Sequence, residues 1–376
     1  MNIDAQSLRF DERVIFALRS LFTRFGYSYY KMSKFEEYDL YVANKDFLAS
    51  DSMITFTDTN GRLMALKPDV TLSIIRHFRD EPGAVQKLFY NENVYRVSRK
   101  TRVFKEIMQI GLECIGAIDT YCICEVLMLA AESLRSISPG GCVLDIAHLG
   151  IVGSIIESFS FSENARKQAI ACVSEKNAHE LALLCKQNGV EENKAAALRG
   201  LVELCDRPCE ALPRLRELLS RSSSARLHEY LGQLEKVVAF FDGTEIEDML
   251  RIDFSVVNDL NYYNGIVFRG FVEGASSGVL SGGQYDRLMR KMKHQGGAIG
   301  FAIYLDALER LGGDARDYDV DTALFYRRDD DPARVGRAAR ELSAGGASVM
   351  ALTEAPAGLR YRRAVKLTES GVAPLD

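Results

Sequence analysis

The first clear periodicity lies in residues 9–25, RFDERVIFALRSLFTRF, where Val14, Leu18, Leu21, Phe22 and Phe25 recur at helical spacing before Gly26 ends the helix. Residues 27–42 are rich in tyrosine and predict an extended segment, suited to a subunit interface or to a strand packed on its own domain. Residues 52–66 predict a hairpin around the turn pair Asn60-Gly61. Leu66-Lys67-Pro68-Asp69-Val70-Thr71 then leads into an amphipathic helix. Asp69 and Thr71 stand where a strand gives way to that helix, the place of an N-cap.

Residues 85–97 and 105–115 predict two strands joined by a polar loop. On the second strand Met108, Ile110, Leu112 and Cys114 face one way, and Gln109, Gly111 and Glu113 the other. A polar, empty, polar face leaves space above the glycine. Glu113 accepts from an ammonium or a ring N–H, and Gln109 both donates and accepts. Arg96 carries the planar fork that holds a carboxylate or phosphate. The same pattern also fits a solvated sheet face with a surface arginine.

Residues 119–137 and 149–158 predict apolar helices around a short strand near 142–147; His148 follows that strand and reads as structural. Residues 161–241 read as helical throughout, an insertion between two parts of one sheet. In residues 251–286, RIDFSVVNDLNYYNGIVFRGFVEGASSGVLSGGQYD, strands are predicted at 251–257 and 266–272, with the turn pair Asn264-Gly265 before the second. Ser276 to Gly283 reads as a loop of small residues whose adjacent glycines admit close backbone approach. Tyr262, Tyr263 and Tyr285 frame it, as the wall of a small polar ligand or as core tyrosines beside a tight turn. Residues 294–310 predict glycines, a short strand and a helix, and residues 318–376 a separate small unit. The domains expected are a core of 1–160 and 242–312, a helical insertion of 161–241 and a C-terminal unit of 313–376.

Composition narrows the class. A chain of 376 residues with 47% hydrophobic and 26% charged positions fits a globular protein of several domains. A net charge of −5 gives no global pull toward nucleic acid. No run of about 18 apolar residues marks a membrane span, and the charged N-terminus lacks a secretory apolar core, so the expected compartment is the cytoplasm. The 8 cysteines sit mostly in apolar patterns, and neither close pair, Cys122-x-Cys124 or Cys205-x3-Cys209, has a histidine at zinc spacing, so no metal is expected.

These segments in this order resemble the histidyl-tRNA synthetase family over roughly residues 1–310. LKPDVT, VYRVS with EIMQIGLECIG, NDLNYYNGIVF with SGGQYD, and GAIGFAIYLDALERL carry the resemblance. It implies an α+β fold: a class II synthetase-like antiparallel sheet flanked by helices, with a helical insertion and a small C-terminal α/β unit. It also implies a histidine pocket. Asp69, Thr71 and Gln109 would hold the α-amino end, Glu113 and Tyr263 would reach the imidazole, Tyr262 and Tyr285 would line it, and Arg96 would face the carboxylate.

The catalytic positions depart from that family. Ser98 stands where an acidic residue reads adenine, and Asn258 and Ala307 stand where arginines hold carboxylate and phosphate. Such fixed donors typically supply several kcal/mol each to the transition state. A kept pocket with lost ATP chemistry resembles the regulatory-subunit family of ATP phosphoribosyltransferase, and LKPDVT and ENVYRV are particularly similar to its motifs. That implies a protein with no cofactor and no chemistry of its own. It would form a homodimer through the core, assemble with the short-form catalytic subunit into a hetero-octamer, and serve feedback control by histidine. The shortened C-terminal unit and net charge argue against tRNA as a partner.

Overall fold

A computed structural model describes residues 8–48, 53–97, 102–220, 222, 224–259, 262–308 and 318–375. Within it the chain divides into two compact units, Met1–Leu311 and Gly312–Asp376.

The large unit is built on a nine-stranded sheet. In spatial order its strands are Ser28–Tyr29, Val85–Val97, Phe104–Gly116, Gly297–Tyr304, Leu280–Gln284, Ile266–Val272, Cys142–His148, Leu250–Asp253 and Cys205–Asp206. From Val85–Val97 across to Cys142–His148 every join is antiparallel. Ser28–Tyr29 and Leu250–Asp253 join in parallel, so two parallel joins flank the expected antiparallel centre of the sheet.

Helices Phe10–Arg24 and Thr120–Ile137 cover one face. The first buries Val14, Leu18, Leu21 and Phe22 of the expected stripe and adds Ile15, while Phe25 is its C-cap, and Gly26 leaves it at φ +82°. The second starts on Asp119, whose carboxylate accepts the Cys122 N–H at 2.9 Å. Ile110, Leu112 and Cys114 belong to the core on that side. Tyr90, Tyr285 and helix Val70–His77 belong to a smaller core on the other. The sheet therefore partitions two apolar layers, and alternation along each strand assigns its side chains between them.

Several local expectations need correction. Residues 27–42 are not one extended segment: Ser28–Tyr29 and Phe35–Glu37 are short strands, and Tyr38–Ala43 is helical. The first predicted strand of 251–257 ends at Asp253 and passes into a 3₁₀ turn, Phe254–Asp259. It does not pair with Ile266–Val272, because Cys142–His148 lies between them. Gly282 and Gly283 lie in a strand, not a loop. A Cβ on Gly282 would come within 2.5 Å of the Phe301 side chain, and one on Gly283 within 2.9 Å of Tyr263. The helical residues 161–241 include the two-residue strand Cys205–Asp206, which completes the sheet edge. The hairpin Thr55–Thr57 and Leu63–Leu66 turns at Gly61, φ +81°, as its Asn-Gly pair predicts.

The C-terminal unit has a four-stranded sheet and the helix Pro332–Ser343, capped by Asp331 on the Ala333 N–H at 3.0 Å. Its core gathers on Leu324, Ala338 and Val365. No helix among the described residues is long and apolar enough to cross a membrane.

Candidate functional site

The turn before helix Val70–His77 places the first site residues. Asp69 is its N-cap and accepts the Leu72 N–H at 2.9 Å, so the capping role is real. Thr71 sits one step into the first turn and points back to the sheet, where its hydroxyl donates to Glu113 Oε1 at 2.7 Å. Lys67 anchors the turn from below. It is fully buried, and its ammonium donates to Glu92 at 3.0 Å and to the Ser33 carbonyl at 3.2 Å. Arg96 closes the other side. Its Nε donates to the Pro68 carbonyl at 2.8 Å, and Nη2 lies 3.6 Å from Asp69.

The hairpin Val85–Val97 and Phe104–Gly116 supplies the floor. Gln109, Gly111 and Glu113 do share a face, and their opposite residues on Gly297–Tyr304 are Tyr304, Ala302 and Gly300. The glycines are required by space. A Cβ on Gly111 would lie 2.3 Å from the Phe301 carbonyl, and one on Gly300 1.8 Å from Glu113 Oε2. Tyr262 packs edge-on against Tyr263 at 4.7 Å and lies 6.0 Å from Tyr285. The Tyr285 hydroxyl donates to Glu113 Oε2 at 2.5 Å.

These pieces enclose a cavity of about 290 Å³. Asp69, Thr71, Arg96, Gln109, Glu113, Tyr262, Tyr263 and Tyr285 all line it. The structure thus brings together every residue singled out for the pocket. It adds Tyr90, Phe47, Ser281, Ala302 and Tyr304 to the wall. Tyr90 was legible in principle, since it stands opposite Gly111 and shares its face with Leu88 and Glu92. Phe47 carried no signal, because its 3₁₀ turn reaches the cavity only through the tertiary fold, where it meets Tyr262 at 6.1 Å.

Electrostatics favour a cation. Burial pushes the Glu113 carboxyl up to about 8, the Tyr285 and Thr71 hydroxyls pull it back, and the Asp69 charge adds to the rise. Burial also raises Asp69, against the pull of Arg96 and the helix N–H groups. The Tyr90, Tyr262 and Tyr285 phenols are pushed well above their usual range by burial, so they act as neutral hydroxyls. An ammonium or a protonated ring entering between Asp69 and Glu113 would favour the ionised form of both. The side-chain amide of buried Gln109 has no hydrogen bond to any described residue, which leaves it available to a ligand.

Of the catalytic departures, Ser98 and the Asn258 side chain lie outside the described residues. Ala307 lies in the 3₁₀ turn Leu305–Leu308 and packs on the main core. Among the described residues no group of three or more His, Cys, Asp or Glu is placed to hold a metal. His148 caps helix Leu149–Glu157. Its Nδ1 accepts the Gly150 N–H at 3.1 Å, and its Nε2 meets Gln233 at 2.9 Å.

Known proteins share this architecture. The family model for histidyl-tRNA synthetase matches residues 3–308. An ATP phosphoribosyltransferase regulatory subunit from Caldanaerobacter subterraneus subsp. tengcongensis is 32% identical over 293 residues, covering 77% of this chain and 75% of its own. A histidine–tRNA ligase from Methanocaldococcus jannaschii is 29% identical over 301 residues, covering 77% and 69%. Among solved structures, an ATP phosphoribosyltransferase regulatory subunit/histidyl-tRNA synthetase from Bacillus halodurans superposes with TM-score 0.75 at 21% identity, over 95% of this chain and 93% of that one. A chain of the ATP phosphoribosyl transferase (HisG:HisZ) complex from Thermotoga maritima gives 0.60 at 20% identity, over 78% and 97%. The two structures carry the fold: a mixed α+β arrangement with a large mixed sheet and a small C-terminal sheet. The match over residues 3–308 and the relative at 32% identity carry the family: this chain belongs to the histidyl-tRNA synthetase family, among relatives most of which are named ATP phosphoribosyltransferase regulatory subunits.

Proposed function

We propose that this chain is the non-catalytic regulatory subunit of ATP phosphoribosyltransferase, serving the first step of histidine biosynthesis beside a short-form catalytic subunit in a hetero-octamer. One observation carries the ligand: Asp69, Thr71, Gln109, Glu113 and the tyrosines converge on a single cavity whose carboxylates suit an ammonium and a ring N–H. Histidine presents both, and Arg96 stands at the rim for its carboxylate. The partner rests on the names of the relatives and on the Thermotoga maritima complex. The absence of chemistry rests on Ser98, Asn258 and Ala307, none of which neutralises phosphate. Feedback then follows from linkage: histidine must favour one conformation of the assembly over another.

Reconstitution tests this. The catalytic subunit gains activity when this chain is added, and histidine lowers that activity. Full activity without this chain defeats the assignment. Glu113→Gln weakens histidine binding by about 1–3 kcal/mol, the range for losing a charged hydrogen-bond partner; equal affinity by calorimetry would mark the pocket as vestigial. A second reading, a divergent histidyl-tRNA synthetase, is favoured by the family match and the Methanocaldococcus jannaschii relative. It requires histidine-dependent exchange between ATP and pyrophosphate.

A further inference from the structure

The sheet face that carries the cavity continues beyond it. Gly111 stands opposite Ala302, Ala302 opposite Ser281, Ser281 opposite Arg269, Arg269 opposite Asp145, and Asp145 opposite Arg251. Residues directly opposite across a sheet share a face. Ser281 still lines the cavity. Two strand spacings put Asp145 about 10 Å further on.

Two charges on this part of the face, Asp253 and Arg251, have partners. Asp253 accepts from the Lys176 ammonium at 2.5 Å and from the Ser255 N–H at 2.8 Å. Arg251 donates to the carbonyls of Asp248 and Leu250 at 2.9 and 2.6 Å. Asp145 and Arg269 are the exceptions. Asp145 is 8% exposed, yet neither its side chain nor that of Arg269 has a hydrogen bond or ion pair with any described residue. They are direct cross-strand neighbours of opposite charge that do not close on each other. The Arg269 stem lies along Gly278, where an added Cβ would come within 2.9 Å of it. The carboxyl of Asp145 rises to about 7, through burial and then the Asp253 charge, against the pull of Lys176, Arg251 and Arg269. No fixed donor has been supplied to it.

We propose that Asp145 and Arg269 are the two ends of a second ligand site, for a small zwitterion with its ammonium on Asp145 and its carboxylate on Arg269. The chemistry sets the class. An ionised carboxylate only accepts, and a guanidinium only donates. A simple anion would satisfy Arg269 and be repelled by Asp145, and a simple cation the reverse. A molecule carrying both charges completes both. The site stands apart from whatever the first cavity holds.

The test uses glycine, the smallest zwitterion of this class, on the full chain with ¹³C-labelled aspartate. The Asp145 carboxyl signal, assigned with Asp145→Asn, is followed against pH. Glycine lowers its midpoint by about one pH unit, a tenfold preference for the ionised form. Arg269→Gln abolishes that shift, Arg269→Lys retains part of it, and Glu113→Gln leaves it intact. Methylammonium or acetate alone produces a smaller shift or none. A midpoint indifferent to glycine, or a full shift surviving in Arg269→Gln, overturns the proposal. A full shift from methylammonium alone overturns the zwitterion class.

Discussion

Glu113 and Asp145 are buried carboxylates on the same sheet face, and the fold treats them oppositely. Glu113 is held on both oxygens, by Thr71 and by Tyr285. The Asp145 carboxylate has no hydrogen bond from any described residue. Burial raises both, to about 8 and about 7. The comparison teaches that burial alone does not define a binding site. Glu113 is built into position by donors from two helix starts, Thr71 in the first turn of Val70–His77 and Tyr285 at the N-cap of Asp286–Lys291, with glycines cut to fit around it. Asp145 is enclosed with no donor on its carboxylate, and only the longer-range pull of Lys176, Arg251 and Arg269 answers its charge.

The largest way to break that contrast is to fill the space around Glu113. Gly300→Ala drives a methyl against Glu113 Oε2 and the Leu112 carbonyl, at 1.8 and 2.5 Å. Overpacking of this kind costs about 3 kcal/mol of stability, readable as a lower urea midpoint. Next is Tyr285→Phe. It leaves Oε2 of a buried carboxylate without its donor, at a cost of about 2 kcal/mol by the same measurement. Asp145→Asn goes the other way. It removes an unpaired buried charge, so at pH 8 it stabilises the chain by about 1 kcal/mol; a loss of the same size would mean that Asp145 has a partner in solution.

The remaining effect is in the pH slope. Both folded-state values are raised above the ordinary carboxylate range, so the folded chain holds protons that the unfolded chain has released. Their contribution to stability is greatest below about pH 4 and is lost as pH rises toward 7 to 8. Urea unfolding at pH 5 and pH 8 therefore shows a decline, and Asp145→Asn and Glu113→Gln each flatten it. An unchanged slope in both variants would place the linkage elsewhere.

Much of the site was legible because it obeys a period of two. Once residues 105–115 read as a strand, Gln109, Gly111 and Glu113 had to share a face. The Asp69 cap was equally local, since a short acceptor before an apolar helix satisfies its own N–H groups. The glycine pair at 282–283 was misread because small residues serve both turns and crowded strands, and only the positions of Phe301 and Tyr263 decide between them. The placement of Leu250–Asp253 was missed for a similar reason. Its strand character is written in its own residues, whereas its neighbour Cys142–His148 is fixed by a pairing more than one hundred positions away.

By itself, the order of residues determined most of the helices and strands, which side chains share a face within them, and, through several short motifs together, the family. Those properties are set by steric preference and alternation over a few neighbouring positions. Only the tertiary structure decided that Thr71 and Tyr285 meet on Glu113, that Lys67 is sealed beneath the Asp69 turn, and that the Asp145 carboxylate goes without a donor beside Arg269. Hydrogen bonds reach only about 3 Å, and which groups come that close depends on how distant strands are ordered in the sheet.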